Sequence, residues 1–262
     1  MTTALLETAP AGRHICQIHK DPAALASSVS RFVASGLKRG ERVVVVAVPD
    51  HVRLILAELE AAEWNADAFA STNQLTILDA AALLERFMKN GMPEWNDFQR
   101  TVGTLISRRS GASYPGVRVY GEMVNLLWHE GNHQAAVRLE EYWNELARHQ
   151  SFCLMCCYLI DALNPEHHHG PLPDIGRTHS DMVLTEHNRR VQAAVDQASR
   201  EILGSTLSVT LSLSGHEEHA GEHRLPAGMR SMIWLKKNMP GIYPRVLERA
   251  REHYSAMAPS AS

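Results

Sequence analysis

The sequence is poor in cysteine, which bears on where the protein works. It has 4 cysteines among 262 residues, and three of them fall within the short stretch 153–157. Small secreted proteins are stabilised by disulfides spread along the chain, and this clustering does not fit that class. Reduced thiols inside a protein core are therefore expected.

The chain also lacks a marked excess of either charge. Its formal net charge is −3, and no basic block or Lys/Arg-rich helix stands out. Proteins that bind nucleic acid usually carry a basic patch on one face. Direct binding of nucleic acid is therefore not predicted.

Long apolar runs are missing as well. No segment reaches the roughly 18 apolar residues that a membrane span requires. The first ten residues, MTTALLETAP, lack the basic start and the apolar stretch of a secretion signal. The sequence therefore predicts a cytoplasmic protein that makes no contact with a membrane.

What the chain does contain is an alternation of strand-like and helix-like segments. Apolar residues make up 45% of it, which is ample for a core. The run Arg42–Val48 is almost entirely β-branched, which is typical of a strand buried on both faces of a parallel sheet. Helical segments with apolar residues at three- and four-residue spacing separate the predicted strands, which are 14–19, 42–48, 75–78, 117–120 and 152–160. This alternation predicts an α/β fold with a doubly wound, mostly parallel sheet and helices on both faces.

The composition changes after Pro165, where a stretch rich in histidine, proline and glycine predicts irregular structure. We expect a flexible leader at 1–12, a core domain at 13–180 and a mainly helical tail at 181–262. The tail includes one extra strand at 207–213, where apolar and hydroxyl residues alternate. Two histidine groups, at 167–169 and between 216 and 223, lie in predicted loops, where solvated histidines are favoured over metal ligands.

Several short motifs occur in order within this frame. They are His14-x-Cys16, Phe32-x-x-x-Gly36-Leu-x-x-Gly40-Glu41, Arg118-x-x-x-Glu122-Met123, Glu140-Glu141-Tyr142 with Asn144, and Cys156-Cys157-Tyr158 leading to His179. Together they resemble the MEDS domain, the sensory domain of regulators from methanogens and methylotrophs, over roughly residues 10–185. The resemblance implies a RecA-like fold and the sensing of a small organic molecule in bacterial or archaeal signal transduction.

The resemblance also bears on partners. Members of the family are often joined to histidine kinases, DNA-binding domains or anti-sigma-type regulators, and none of these is evident in this chain. A role in transcription regulation would then act through a signalling partner or through a homodimer. A dimeric scaffold with a vestigial pocket is an alternative to the sensor.

A RecA-like fold raises the further alternative of a nucleotide-binding protein with residual ATPase activity. A phosphate-binding loop needs the pattern G-x-x-x-x-G-K-[ST], whose glycines bring backbone N–H groups close to the phosphates. After the first predicted strand this chain reads HKDPAA, with no glycine and with a proline that removes a donor. The sequence therefore favours a protein that is not an enzyme, with no catalytic residue assigned.

The candidate ligand-binding residues begin with Arg118 and Glu122, which we expect at the carboxyl end of an inner strand. Ligands of open α/β sheets bind at that edge, and a guanidinium can bind a carboxylate or phosphate through two hydrogen bonds. We expect His14, Cys16 and Tyr158 to line the pocket beside them. A buried Arg–Glu pair that only orients the end of the strand is the structural alternative.

The cysteines also allow a metal site. His14 and Cys16 point to one side of their strand, and Cys153 and Cys157 share one face of theirs. If the two strands are neighbours, His14 and Cys16 could bind zinc together with Cys153 or Cys157. Buried cysteines more often act as small apolar residues, so neither a metal nor another cofactor is predicted.

Overall fold

A computed structural model describes residues 2–107, 114–168, 172–205, 208 and 225–257. A parallel sheet lies at the centre of the fold. Its strands are β1 (His14–His19), β2 (Arg42–Ala47), β3 (Leu75–Asp79), β6 (Val117–Gly121), β7 (Cys153–Leu159) and β8 (Asp181–Met182). A separate antiparallel hairpin consists of β4 (Met88–Lys89) and β5 (Met92–Pro93).

Helices surround the sheet and make up the C-terminal part of the chain. They are α1 (Thr2–Thr8), α2 (Pro22–Lys38), α3 (Pro49–Ala61), α4 (Ala66–Ser71), α5 (Ala80–Leu84), α6 (Trp95–Phe98), α7 (Thr104–Ser107), α8 (Met123–His129), α9 (His133–His149), α10 (Leu172–Thr178), α11 (Glu186–Leu203), α12 (Ala227–Asn238) and α13 (Tyr243–Ala256). The architecture is the predicted α/β fold, consistent with a doubly wound, RecA-like sheet followed by a helical tail.

The strands run in the order β3-β2-β6-β7-β1-β8. Every residue of β1, β2 and β6 is buried, because helices cover both faces of a doubly wound sheet. The expected adjacency of the first and last long strands is confirmed, since the backbone N–H of Leu154 donates to the carbonyl oxygen of Arg13 at 2.9 Å.

Local signals in the sequence account for most helix starts. Asp21 accepts a hydrogen bond from the backbone N–H of Ala24 at 2.9 Å, and Pro22 takes the first position of α2. This is the combination that favours the start of a helix, because it satisfies a free backbone donor and presets the backbone angle. Asp79 caps α5 in the same way.

The structure differs from the sequence-based expectation at several short segments. Residues 2–8 form a helix where a leader without structure was expected. The helical segment between the hairpin and β6 is not continuous, since a π-helical turn at Gln99–Gly103 lies between α6 and α7. Both the hairpin and β8 were missed, because strands of two residues carry no periodic pattern. The predicted strand at 207–213 lies outside the described residues, apart from Ser208.

The chain divides into two compact units. The first contains Met1–Gln17, Asp21–Leu159 and His179–Val183, and the second contains Ile18–Lys20, Ile160–Thr178 and Leu184–Ser262. In the second unit, α11 packs against α12 and α13. Within the described part of the chain, no helix combines the length and the apolar character that crossing a bilayer requires.

Candidate functional site

A cluster of four buried polar side chains lies within the first unit. It consists of His14, Glu140, Cys156 and His179, all of which are almost completely excluded from solvent. One nitrogen, oxygen or sulfur atom from each residue lies within 4.8 Å of the corresponding atoms of the other three. We call these residues the four-residue cluster.

The fold assembles the cluster from four separate segments. His14 and Cys156 come from the neighbouring strands β1 and β7, and Glu140 reaches them from α9. Ser180 fixes the fourth segment, because its N–H donates to the carbonyl oxygen of His14 and its hydroxyl oxygen accepts from the N–H of His14, both at 2.9 Å. His179 is thereby placed against His14, with 4.1 Å between the ring centroids.

The side-chain atoms of the cluster approach one another closely. The Nε2 atom of His14 lies 3.2 Å from Oε2 of Glu140 and 3.4 Å from Sγ of Cys156. The same sulfur is 3.5 Å from Oε2 of Glu140. The Nε2 atom of His179 lies 3.2 Å from the other carboxylate oxygen, Oε1.

Two further side chains orient the cluster from outside it. The Nδ1 atom of His14 lies 2.9 Å from Oδ1 of Asn144, which can only accept a hydrogen bond. In the tautomer that donates from Nδ1 to Asn144, the lone pair on Nε2 faces the cluster, and this is the form of the ring that could bind a cation. The hydroxyl of Tyr158 donates to Oε1 of Glu140 at 2.6 Å.

The surroundings shift the pKa values of these groups in different directions. Burial by itself would raise the pKa of Glu140, but the facing rings of His179 and His14 outweigh burial and lower it below the usual range. Burial lowers the pKa of His14, and the neighbouring His179 lowers it further. Burial and the Glu140 carboxylate together raise the pKa of the Cys156 thiol well above its usual value. The carboxyl is thus ionised at neutral pH, whereas the thiol is protonated.

A second group of polar residues lies at the carboxyl ends of β2 and β6. Glu122 follows β6 directly, and its backbone N–H donates to the carbonyl oxygen of Val46 at 2.9 Å. Its carboxylate accepts from the backbone N–H of Val48 at 3.1 Å and forms a short contact with Nδ1 of His51. Asn125 donates to the same carboxylate at 3.4 Å. We call Glu122, His51 and Asn125 the strand-end cluster.

His51 is the member of the strand-end cluster that reaches the surface. Its side chain is 10% exposed, whereas that of Glu122 is 1% exposed. The hydrogen bond to Glu122 raises the pKa of His51, although partial burial acts in the opposite direction. The ring therefore has a greater tendency to carry a positive charge than an ordinary surface histidine.

The structure corrects the expectation that Arg118 and Glu122 face one crevice. Arg118 pairs in register with Val43 and Cys153 near the starts of their strands, so its guanidinium lies away from the carboxyl edge. It forms a short ion pair with Glu41 and donates to the carbonyl oxygens of Leu6 and Glu7 at 2.7 and 2.9 Å, respectively. The spacing of Arg118 and Glu122 in the sequence does not show at which end of the strand each side chain lies or which residue it contacts.

The remaining candidates are divided between the clusters and the core. Tyr158 and His14 both contact Glu140, so these two residues do come together. Cys16 is buried on the same strand as His14. Cys153 and Cys157 belong to the apolar core of the opposite face, and burial raises the pKa of Cys153 to about 12. Of the metal candidates, only His14 belongs to the four-residue cluster.

Comparison with known proteins places these residues in a family. Residues 13–180 match MEDS, the methanogen/methylotroph, DcmR sensory domain. The chain belongs to the MEDS family. This confirms the resemblance drawn from the sequence motifs, and membership of a sensory family indicates a sensory or regulatory role. No curated protein matches the chain.

Sequence reasoning did not single out several residues of these clusters. Glu140 and His179 occur in the MEDS motifs, so a signal for them was present, but nothing in the sequence indicated that they meet His14. Cys156 was not among the metal candidates, because Cys153 and Cys157 share the other face of their strand, and this alternation carries no information on its contact with His14. His51 had no signal beyond its position shortly after a strand.

Proposed function

We propose that this MEDS chain is a non-catalytic sensory protein that binds a small organic molecule at the carboxyl ends of β2 and β6. The observation that carries the proposal is the strand-end cluster, which places at that edge a histidine whose side chain is 10% exposed. The proposal keeps the expected edge and the expected Glu122, and it replaces Arg118 with His51 as the cationic group.

The topology supports this choice of edge. The chain leaves β2 towards β3 on one side and leaves β6 towards β7 on the other side. Ligands of open α/β sheets bind where adjacent strands have connections that diverge in this way, because the loops separate and leave a crevice. Glu122 and His51 lie in the two segments that follow these strands.

The chemistry of the strand-end cluster defines a class of ligand. Glu122 holds Nδ1 of His51, which leaves the rest of the ring to interact with a molecule outside. A histidine with a raised pKa donates a charge-assisted hydrogen bond, which suits a carboxylate, carbonyl or hydroxyl oxygen. The ligand would therefore be a small organic molecule with an oxygen at one end.

Two observations favour binding without catalysis. The carboxylate of Glu122 already accepts hydrogen bonds from the backbone of Val48 and from Asn125, so it is placed to orient His51 rather than to abstract a proton. At the start of α2, where a nucleotide phosphate would need free N–H donors, the Asp21 carboxylate already accepts from Ala24. A bound phosphate there would meet a negative charge.

A sensory role also requires that the ligand distinguish two arrangements of the protein. A ligand shifts a conformational equilibrium only by the difference between its affinities for the two states. The output in this proposal passes to a signalling partner or to a second copy of the chain.

The test begins with native mass spectrometry of the protein purified from its own host. Calorimetric titrations with short-chain carboxylates and alcohols would follow. We expect one compound to bind and His51→Gln to weaken its binding by tenfold or more. His149→Gln serves as the control, because His149 pairs with Glu145 at the exposed end of α9.

Equal binding by wild type and His51→Gln would overturn the assignment of the strand-end cluster. A dimer that binds none of these compounds would support the scaffold alternative. A bound nucleotide would instead support the ATPase alternative.

A further inference from the structure

We infer that His14, Glu140, Cys156 and His179 bind a divalent transition-metal ion of the zinc type. This site is distinct from the strand-end cluster, and the inference does not depend on the proposed function. It also differs from the zinc site considered from the sequence, because Glu140, Cys156 and His179 replace Cys16, Cys153 and Cys157 as ligands.

The distances within the four-residue cluster fit this assignment. Nitrogen, oxygen and sulfur ligands at about 2.0–2.3 Å from a tetrahedral zinc ion lie about 3.3–3.7 Å from one another. The His14, Glu140 and Cys156 atoms form a triangle with sides of 3.2, 3.4 and 3.5 Å. The fourth ligand atom, Nε2 of His179, lies 3.2 Å from the other carboxylate oxygen, Oε1. One ligand atom from each of the four residues lies within 4.8 Å of the others, so a small rotation of the His179 ring would bring it to the ion.

The charges of these ligands also suit a divalent cation. Binding of the ion displaces the thiol proton of Cys156, which is released to solvent. The resulting thiolate and the Glu140 carboxylate together neutralise two positive charges, and two neutral imidazoles add none. A neutral assembly is what a fully buried site requires, because an uncompensated charge in the interior is costly. The mixture of nitrogen, oxygen and sulfur suits ions of intermediate softness such as Zn²⁺ and Co²⁺.

The residues around the cluster orient these ligands as in a metal centre. A histidine that binds a metal through one nitrogen usually donates the other N–H to an oxygen acceptor, which fixes the direction of its lone pair. Asn144 Oδ1 provides such an acceptor 2.9 Å from Nδ1 of His14, and the hydroxyl of Tyr158 holds the Glu140 carboxylate. In the tautomer with its proton on Nδ1, His14 presents the Nε2 lone pair to the cluster, where a cation would bind between the ring and the carboxylate.

The burial of the site indicates what the ion would do there. Four protein ligands complete a tetrahedral shell and leave no position for water or substrate, which is typical of structural zinc sites. The ion would join β1, α9, β7 and the segment before β8. Such a link would stabilise the sheet and the helix over it without catalysing a reaction.

The alternative is a network held by protons alone, in which a charged histidine pairs with Glu140 and the thiol remains protonated. The two arrangements differ in their response to cobalt. Tetrahedral Co²⁺ bound by a thiolate gives strong visible d–d bands and a near-ultraviolet charge-transfer band, whereas the network of protons gives neither.

The experiment uses the full chain, purified without a metal-affinity tag. Metal content is measured first, and the protein is then treated with a chelator and titrated with Co²⁺. We expect one equivalent of cobalt to produce both sets of bands, and one equivalent of Zn²⁺ to abolish them. Protein that contains no metal and gives no bands with cobalt would overturn the assignment.

Matched variants of β7 test which residue supplies the thiolate. Cys156→Ser should abolish the charge-transfer band, whereas Cys153→Ser, a buried cysteine of the same strand on the opposite face, should retain it. Loss of the band in Cys153→Ser alone would contradict the assignment.

A further variant covers the case in which Cys156→Ser does not fold. Glu140→Gln retains the shape of the side chain and both histidines but removes the carboxylate charge. We expect it to lower the affinity for Co²⁺ by at least tenfold while the thiolate band can still form at high cobalt concentration. An unchanged affinity would exclude Glu140 as a ligand.

Discussion

Arg118 is a buried cation whose partners come from three parts of the sequence. Its guanidinium bonds to Glu41 and to the carbonyl oxygens of Leu6 and Glu7, and it lies 4.9 Å from the centroid of the Phe32 ring. Each of its three guanidinium nitrogens thus donates to an acceptor inside the protein. Arg118 therefore attaches the end of α1 to the sheet, which accounts for the order of a segment expected to be a leader.

This role predicts that Arg118→Met destabilises the protein. Removing one partner of a buried ion pair leaves the other charge uncompensated and costs about 3–5 kcal/mol. We expect a loss near the lower limit, since Arg39 also contacts Glu41 at 3.2 Å. Urea denaturation would measure the loss, and hydrogen exchange would show faster opening of residues 2–8.

Arg39→Met provides the matched control for Arg118. Arg39 contacts the same glutamate, but its side chain is 46% exposed, and exposed ion pairs contribute about 0–1 kcal/mol. Similar effects for the two variants would show that Arg118 is not the main attachment of α1.

Gly36 is a second residue whose surroundings restrict it, because they leave no room for a side chain. A β-carbon there would lie 2.7 Å from Cδ of Arg118 and 2.9 Å from Cγ2 of Val43, closer than carbon atoms normally approach. Gly36→Ala should therefore displace Arg118 and lower the free energy of unfolding by about 1–3 kcal/mol. Thermal denaturation would measure the change.

Gly241→Ala controls for the general effect of replacing glycine by alanine. An added β-carbon at Gly241 meets no atom within 4 Å. The substitution should be neutral or stabilise the protein by about 0.4–1 kcal/mol, because alanine restricts the unfolded chain. If Gly36→Ala behaves like this control, the packing argument is wrong.

At the scale of elements, α11 shows how local sequence sets a helix boundary. Thr185 and Asn188 form a capping box, in which each side chain accepts a hydrogen bond from the backbone N–H of the other. Thr185 also donates to the carbonyl oxygen of Ile18 at 3.2 Å. The start of α11 is thus held both within the helix and to another segment of the second unit.

Thr185→Ala should remove both interactions and destabilise the second unit by about 1 kcal/mol, the usual loss for a capping residue. Urea denaturation followed by circular dichroism would measure it. Ser71→Ala is the control, because the exposed Ser71 hydroxyl bonds to the carbonyl oxygen of Ala68 within its own helix. A loss for Ser71→Ala as large as that for Thr185→Ala would contradict the proposed role of the cap.

At the scale of the whole molecule, the two units should respond to pH in opposite directions. In the second unit, His168 lies between the hydroxyl of Tyr243 and the carbonyl oxygen of Ala162, each at 2.7 Å. Burial lowers its pKa to about 4. In the first unit, the pKa of His51 is raised by Glu122.

For His168, the unfolded chain binds the proton more tightly than the folded chain. The contribution of His168 to the free energy of unfolding is fully present above pH 6.5 and falls as the pH drops towards 4. Since one pKa unit corresponds to about 1.4 kcal/mol, the second unit should lose roughly 2 kcal/mol between about pH 6.5 and about pH 5. Denaturation across this range would measure the loss, and His168→Gln should remove most of it.

For His51 the sign is reversed, because folding raises its pKa. The stability that it contributes is complete below the unfolded value of 6.5 and is lost as the pH rises through the higher folded value. Amide hydrogen exchange in β2 and β6 of the wild-type protein should therefore become faster, relative to exchange in His51→Gln, as the pH rises. Both sets of rates are first corrected for the intrinsic pH dependence of exchange. The opposite trend would contradict the contact between His51 and Glu122.

The parts of the fold that could be predicted from the sequence are those set by residues close to one another along the chain. The β-branched run of β2, the Asp21-Pro22 start of α2 and the alternation of strands with helices each depend on residues close in sequence. They predicted the parallel sheet and most of its boundaries. The same reasoning missed β8, which has only two residues and exists because it pairs with β1.

The sequence by itself determined the α/β class, the succession of the five long strands and the family, since periodicity, caps and short motifs act over a few neighbouring positions. Only the tertiary structure decided which polar residues meet. His14 and Cys156 are separated by 142 positions, and Arg118 finds Glu41 rather than Glu122. Strand order and helix placement bring such residues together, and neither is encoded in the spacing of residues along one element.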